Sequence, residues 1–271
     1  MILLYLTYRK QKDCCWPNSL RTRPSKAACL AMLARVCLTM GDYESALENA
    51  DKCLKLYSKI TDFNTLDRRT DEPFHNNTDD ILFFSRQLLD GNFVMTSGVG
   101  PNASDFIGID TVLLDSYDNG DLRKDIFFGK GTDGRYYRNL MFGTLTNNMY
   151  PFTGLATDEV YLIKAESQAR LGQQELARQT LSSLLLKRFE NGTDSKLDSV
   201  EEELLLNRIL DERHKELVWR STRWTDLKRL NRDGAKIEVQ RNLGGQIIRL
   251  EPSSSRYVFP IPDEELIHLQ K

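Results

Sequence analysis

This sequence lacks a basic excess. Its 37 lysines and arginines face 39 acidic residues, so the cationic surplus of a nucleic-acid footprint is missing and no nucleic-acid partner is expected. Long apolar runs are lacking too, and none approaches the ~20 residues that cross a bilayer as a helix. The opening MILLYLTYRKQKDCCW has a short apolar run with its basic residues after it, the reverse of an export signal. Gln11, Lys12 and Asp13 precede Cys14, where a lipidation site would carry Leu and small residues. Histidine is scarce: His75, His214 and His268 lie far apart, and neither H-E-x-x-H nor G-x-S-x-G occurs. No catalytic residue, metal ligand or cofactor is therefore nominated. The cysteines form no CxxC pair and no Cys/His cluster, which argues against zinc. Cys29, Cys37 and Cys53 fall at apolar positions of helical patterns and are expected to act as free, small hydrophobes, with no disulfide framework.

What is present is helical pairing. Ala34, Cys37, Gly41, Tyr43, Ala46, Ala50 and Cys53 follow the small-residue spacing of a tetratricopeptide helix pair, with Gly41-Asp42 as the turn and Pro24-Ser25 as the start. Ala165, Gln168, Gly172, Gln174, Ala177, Leu181 and Leu184 repeat that spacing around a turn at Gly172. Helices are expected over 24–40, 43–58, 156–171, 174–188 and 201–218. Sequence alone leaves open whether the two distant pairs stack.

Between them, 61–150 changes texture. Turn formers such as Asn76-Asn77, Asn119-Gly120 and Asp133-Gly134 dominate, and few regular elements are expected. Ile81 to Phe84 and Asp125 to Phe128 could be short buried strands. Gly129 to Gly134 fits G-x-G-x-x-G, but Arg135-Tyr136-Tyr137-Arg138 follows it with strand character, so it is taken as a hairpin turn and not a nucleotide loop. Loop-rich insertions on a rigid base concentrate recognition surfaces. Phe74, Tyr117, Tyr136, Tyr137 and Tyr150 are the candidate ligand-binding rings, set among Asn, Asp and Arg as a sugar-binding face requires.

The run Asp211 to Arg229, DERHKELVWRSTRWTDLKR, is dense in charge and holds Trp219 and Trp224. Glu212, Arg213, Glu216, Arg223 and Asp226 are expected to form a partly buried structural network around one of those indoles. From Lys236 the pattern alternates like a strand, Leu243-Gly244-Gly245-Gln246 offers a turn, and Ile247 to Leu250 returns. Pro260 and Pro262 extend the tail so that Phe259 and Ile261 can dock as apolar plugs, ahead of a short acidic-capped helix from Asp263.

Four blocks carry a family resemblance: Arg23 to Leu54, Gly154 to Gly172, the pair Glu212–Leu217 and Arg223–Arg229, and Phe259 to Leu266. Together they resemble the SusD/RagB family of outer-membrane, nutrient-binding lipoproteins, and Asp121-Leu122-Arg123 is similar to a turn of that family. The resemblance implies a mostly α fold of tetratricopeptide-like helix pairs with a loop-rich insertion and a small C-terminal hairpin. Its expected layout is one partial domain over 1–271: a helix pair at 20–60, the insertion at 61–150, a second pair and charged helix at 151–232, and hairpin and tail at 233–271. Because the resemblance begins mid-family, the expectation is a portion without the N-terminal half, signal peptide and lipid anchor. It implies a non-catalytic protein at the cell surface that captures an oligosaccharide or other nutrient beside a SusC-like TonB-dependent transporter. Membrane association would come only through the anchor. An intracellular tetratricopeptide-like adaptor ranks second, since it leaves the insertion and the RWxDLKR and FPIP blocks unexplained. A glycoside hydrolase ranks third, because no carboxylate pair stands apart.

Overall fold

The computed structural model describes residues 21–70, 72–74, 79–85, 109–132, 134–139, 152–192 and 197–261. The chain divides into two compact units, Met1–Ser221 and Thr222–Lys271. In chain order the first holds α1 (Lys26–Met40), α2 (Tyr43–Leu56), β1 (Ile81–Phe83), α3 (Thr111–Asp115), α4 (Arg123–Phe127), β2 (Phe128–Lys130), β3 (Tyr136–Arg138), β4 (Leu155–Ala156), α5 (Thr157–Arg170), α6 (Gln174–Leu185) and α7 (Glu202–Glu216). The second holds α8 (Arg223–Arg232), β5 (Val239–Leu243) and β6 (Gln246–Leu250). The fold is mostly α, and the five long helices fall where the residue spacing places them.

Both helix pairs turn by the same device. α1 opens on Ser25, whose Oγ accepts from Ala28 N at 3.1 Å, so Pro24 lies just outside the helix. It closes at Gly41 with φ of 85°, and Asp42 N reaches back to Cys37 O at 3.0 Å. α5 closes at Gly172 with φ of 76°, and Gln173 N reaches back to Gln168 O at 2.8 Å. These are matching left-handed glycine closures, each satisfying a carbonyl the helix would otherwise orphan. Ala34, Ala46, Ala50, Ala165 and Ala177 are fully buried, which lets the paired backbones approach closely. The pairs stack directly: α2 packs on α5, with Lys164 Nζ 2.7 Å from Asp51 and the Arg170 guanidinium 4.7 Å over the Tyr43 ring. α7 packs on α5 and α6 to complete the helical base.

The insertion adds small two-stranded ladders and an aromatic core. β1 and β4 pair antiparallel with Ile81 opposite Ala156, and β2 and β3 pair with Gly129 opposite Tyr137. The glycine-rich 129–134 stretch is thus part of a hairpin, as its strand-like sequel requires. Phe63 meets Phe74 edge-on at 5.5 Å and Phe127 at 5.7 Å, geometries favoured by the ring quadrupole. Asp125 to Phe128 departs from expectation: most of it is helix α4, and only Phe128 enters a strand. The cause is local, because Asp121 Oδ1 accepts from Arg123 N at 3.1 Å and closes a turn from which a short helix continues.

Cys37 and Cys53 are free and buried, and burial pushes both thiols up to about 12, which leaves them inert. Cys29 differs from its expected role, since it is disulfide-bonded.

In the second unit, Gly244 and Gly245 with φ of 60° and 89° close the β5–β6 turn, a left-handed pair that only glycine adopts without penalty. The strand begins at Val239, not Lys236, because Lys236 has φ of 53° and the Asn231 side chain ties up the backbone N and O of Ile237. Phe259 and Ile261 are not plugs. Phe259 stacks on Trp224 at 5.8 Å but stays 75% exposed, and Ile261 is 57% exposed. Tyr257 is the tail ring that buries, tilted against Trp224 at 4.8 Å.

Candidate functional site

The five candidate ligand rings separate by burial. Phe74 lies in the aromatic core with Phe63 and Phe127. Tyr117 is buried against Phe128 and donates its hydroxyl to Lys215 O at 2.9 Å. Tyr137 is buried under the β2–β3 hairpin, so close to Gly129 that a Cβ there would sit 2.2 Å from its ring. Those three placements correct the expectation that their faces meet a ligand: each ring is used as core. Tyr136, on the opposite side of β3, is half-buried, with Lys130 Nζ 5.5 Å from its centroid. Tyr150 falls outside the described residues.

The charged helix supplies a more completely built site. Glu212 and Glu216 lie one turn apart on α7, both buried, and face Arg123 at the start of α4. Arg123 Nη2 donates to Glu212 Oε2 at 2.5 Å, and its Nη1 donates to Glu216 Oε2 at 3.3 Å. The same guanidinium grips Asp121 through Nε at 2.8 Å and Nη2 at 2.6 Å. Lys215 and Arg208 add their charges to Glu212 Oε1 at 2.6 and 3.1 Å. Arg188, just past α6, donates from Nε to Glu216 Oε1 at 2.8 Å and from Nη1 to Thr61 O at 2.7 Å. Its plane lies 3.9 Å from the Phe63 ring centre. Backbone bonds hold the same place together: Leu122 N to Arg188 O at 2.9 Å and Phe63 N to Lys187 O at 2.9 Å. The network therefore fastens the aromatic core of the insertion to the helical base.

A second set of pairs continues it. Glu159 accepts from Arg35 Nε at 2.7 Å and lies 3.6 Å from Arg213, while Asp158 Oδ2 accepts from Arg220 Nη1 at 2.9 Å. Of the residues foreseen from the charged run, Glu212, Arg213 and Glu216 sit here. Asp226 is buried in the second unit with Arg229 Nε at 2.8 Å, and Arg223 is half-buried in α8. Arg123, Arg188, Asp121, Asp80, Asp158, Glu159 and Arg35 were not foreseen as members. Of these, only Asp121-Leu122-Arg123 left a signal in the sequence, through its similarity to a turn of the SusD/RagB family. Asp158 and Glu159 lie in the first turn of α5.

Electrostatics divide these acids. Burial raises the Glu212 carboxyl, but Arg123, Lys215 and Arg208 outweigh it and hold it below the usual carboxylate value. Burial likewise opposes Arg35, Arg213 and Arg220 at Glu159, and the cations prevail. At Glu216 burial prevails over Arg188 and Arg123, with Asp158 adding repulsion, and the carboxyl is raised. Leu217 to Ser221 leaves α7 under strain, with φ of 64° at Trp219 and 59° at Ser221, and buried Arg220 anchors it between them. Such an arrangement holds chain segments together. Among the described residues no group of three or more His, Cys, Asp or Glu side chains is placed to hold a metal ion.

Comparison with known proteins follows the same lines. The SusD family profile matches residues 144–268. A SusD-like carbohydrate binding protein from Bacteroides vulgatus shares the fold with a TM-score of 0.70 at 18% identity, covering 97% of this chain and 63% of that one. A SusD superfamily protein from Bacteroides thetaiotaomicron gives 0.71 at 18% identity, covering 96% and 62%. A SusD-like protein from Bacteroides fragilis gives 0.67 at 14% identity, covering 97% and 68%. The chain thus spans about three-fifths of the length of the first of these, 63%. No curated protein matches it. The SusD family profile thus matches the C-terminal part of this chain, and the solved structures show that a SusD-like fold runs across nearly its whole length.

Proposed function

We propose that this protein captures a glycan without cleaving it and presents it to a SusC-like TonB-dependent transporter at the outer-membrane surface. The match of residues 144–268 to the SusD family carries this reading, on a fold shared with a SusD-like carbohydrate binding protein. The helical base formed by α1, α2, α5, α6 and α7 is the surface assigned to the transporter. The insertion is assigned to the sugar, where a ring covers the apolar face of a pyranose and nearby polar groups bond its hydroxyls. Tyr136 is the described candidate ring that keeps part of its surface outside the core, and it has a cation beside it. No carboxylate pair is assigned to hydrolysis, because the buried acids described above are engaged with arginine and lysine.

Titration calorimetry of the chain against an oligosaccharide panel tests this reading. Binding without turnover is expected, weakened about tenfold or more in Tyr136→Ala, the loss of roughly 1.4 kcal/mol that one aromatic contact supplies. Release of shorter sugars from any panel member would overturn the non-catalytic reading. Full affinity in Tyr136→Ala would move the site elsewhere. Co-purification with a co-expressed SusC-like transporter tests the second partner.

A further inference from the structure

We propose that Asp80, Arg188 and Glu216 form a proton-linked latch, which takes up a proton in mildly acidic medium and tightens the seam between the insertion and the helical base. Asp80 immediately precedes β1 and is fully buried. Its backbone carbonyl accepts from Thr157 N at 2.9 Å and its Oδ1 accepts from Thr61 N, so it ties the start of the insertion to the first residue of α5. The cation facing it is Arg188, whose donors are already directed elsewhere. Nε serves Glu216 and Nη1 serves Thr61 O, which leaves Nη2 at 3.6 Å from Asp80 Oδ2, outside hydrogen-bond range. Among the described residues neither Asp80 Oδ2 nor Arg188 Nη2 has a hydrogen-bond partner.

The charged groups around Asp80 do not correct this shortage. From α5 comes Asp158, a like charge held by Arg220. From α7 comes Glu216, which shares Arg188 and also takes Arg123 Nη1 at 3.3 Å. Arg123, from α4, is divided among Asp121, Glu212 and Glu216. Two buried carboxylates thus compete for one guanidinium beside a third acid. A buried carboxylate without a cation at bonding distance lowers its free energy by binding a proton. In agreement, burial first, then repulsion from Asp158, pushes Asp80 up to about 6 against the pull of Arg188 and the hydrogen bonds from the Thr61 side chain and backbone, and Glu216 is raised beside it. Because the two acids share Arg188, they titrate as a pair.

The sign is opposite to that of ordinary acid denaturation. Asp80 ordinarily titrates at 3.8 and here at about 6. The folded state therefore binds more protons than the unfolded chain between these values, and stability is gained as pH falls through about 6. The test is the urea midpoint of the full chain at pH 7.5, 6.5 and 5.5, with Asp80→Asn alongside. The wild-type midpoint is expected to rise toward pH 5.5, while Asp80→Asn holds a level midpoint at or above the wild-type value at pH 7.5. A wild-type midpoint that is level or falls across this window overturns the proposal, as does an equal slope in the variant. Should Asp80→Asn fail to fold, infrared spectroscopy of the wild type decides: a protonated-carboxyl band at pH 5.5 that fades by pH 7.5 supports the latch, and its absence at both overturns it.

Discussion

The helical base and the seam beneath the insertion are both buried, yet they cohere by opposite means. In the base, alanines at 34, 46, 50, 165 and 177 bring backbones together, and identical glycine closures at 41 and 172 set the angle. The contacts those alanines make are apolar and tolerant of small adjustments. In the seam, Arg123 and Arg188 gather acids from the turn before α4, from the residue before β1 and from α7, all shielded from water. Ion pairs of this kind contribute little net stability relative to apolar packing, but they fail badly when the cation that several acids share is lost. The base is thus robust and the seam exacting.

The largest effect that separates them is removal of Arg123. Arg123→Ala leaves Asp121, Glu212 and Glu216 without the charge they share, and a cost of about 3–5 kcal/mol is expected from the urea midpoint. A cost under about 1 kcal/mol would mean that the seam behaves like a wet surface pair and the contrast fails. Acid sharpens the same point. Glu159 and Glu212 are held below the usual 4.5, so the stability they contribute is present above 4.5 and is lost as pH falls through their lowered values. Glu212→Gln is expected to shallow the acid limb, and an unchanged limb would remove Glu212 from the account.

Legibility in the sequence follows the same division. Helix pairs advertise themselves because their contacts repeat at three and four residues, and Gly41 and Gly172 mark both turns. The glycine-rich loop and the Gly244-Gly245 hairpin were equally plain, since the backbone conformation is written in the residue type. The seam was half legible. Glu212 and Glu216 stood out within one charged helix, but their partners lie 89 and 93 residues away at Arg123, and nothing local specifies a pairing over that distance. The aromatic residues misled for a related reason. Phe74, Tyr117 and Tyr137 sit among turn formers, as ligand-facing rings would, but a loop-rich region still needs a core and these rings supply it.

A middle-sized test probes the base directly. Ala46 on α2 is fully buried against α1, so Ala46→Leu forces the pair apart. Overpacking of that kind costs about 1–3 kcal/mol, less than the loss of Arg123 because the neighbouring side chains can shift. A cost equal to or above that of Arg123→Ala would reverse the ranking of the two regions.

The smallest expected effect completes the comparison by placing an ion pair on the base. Lys52 and Glu48 pair one turn apart on the outer side of α2, with side chains 48% and 64% exposed. Water already solvates both charges, and holding two long side chains together costs entropy. An exposed helical pair therefore contributes only about 0.3–0.5 kcal/mol, further screened by salt. Lys52→Ala is expected to move the urea midpoint by no more than that, and to move it less in 0.5 M salt than in 0.05 M, conditions chosen to span about 4 to 14 Å of screening length. An effect rivalling Arg123→Ala would show that proximity, not burial, decides what an ion pair does in this fold.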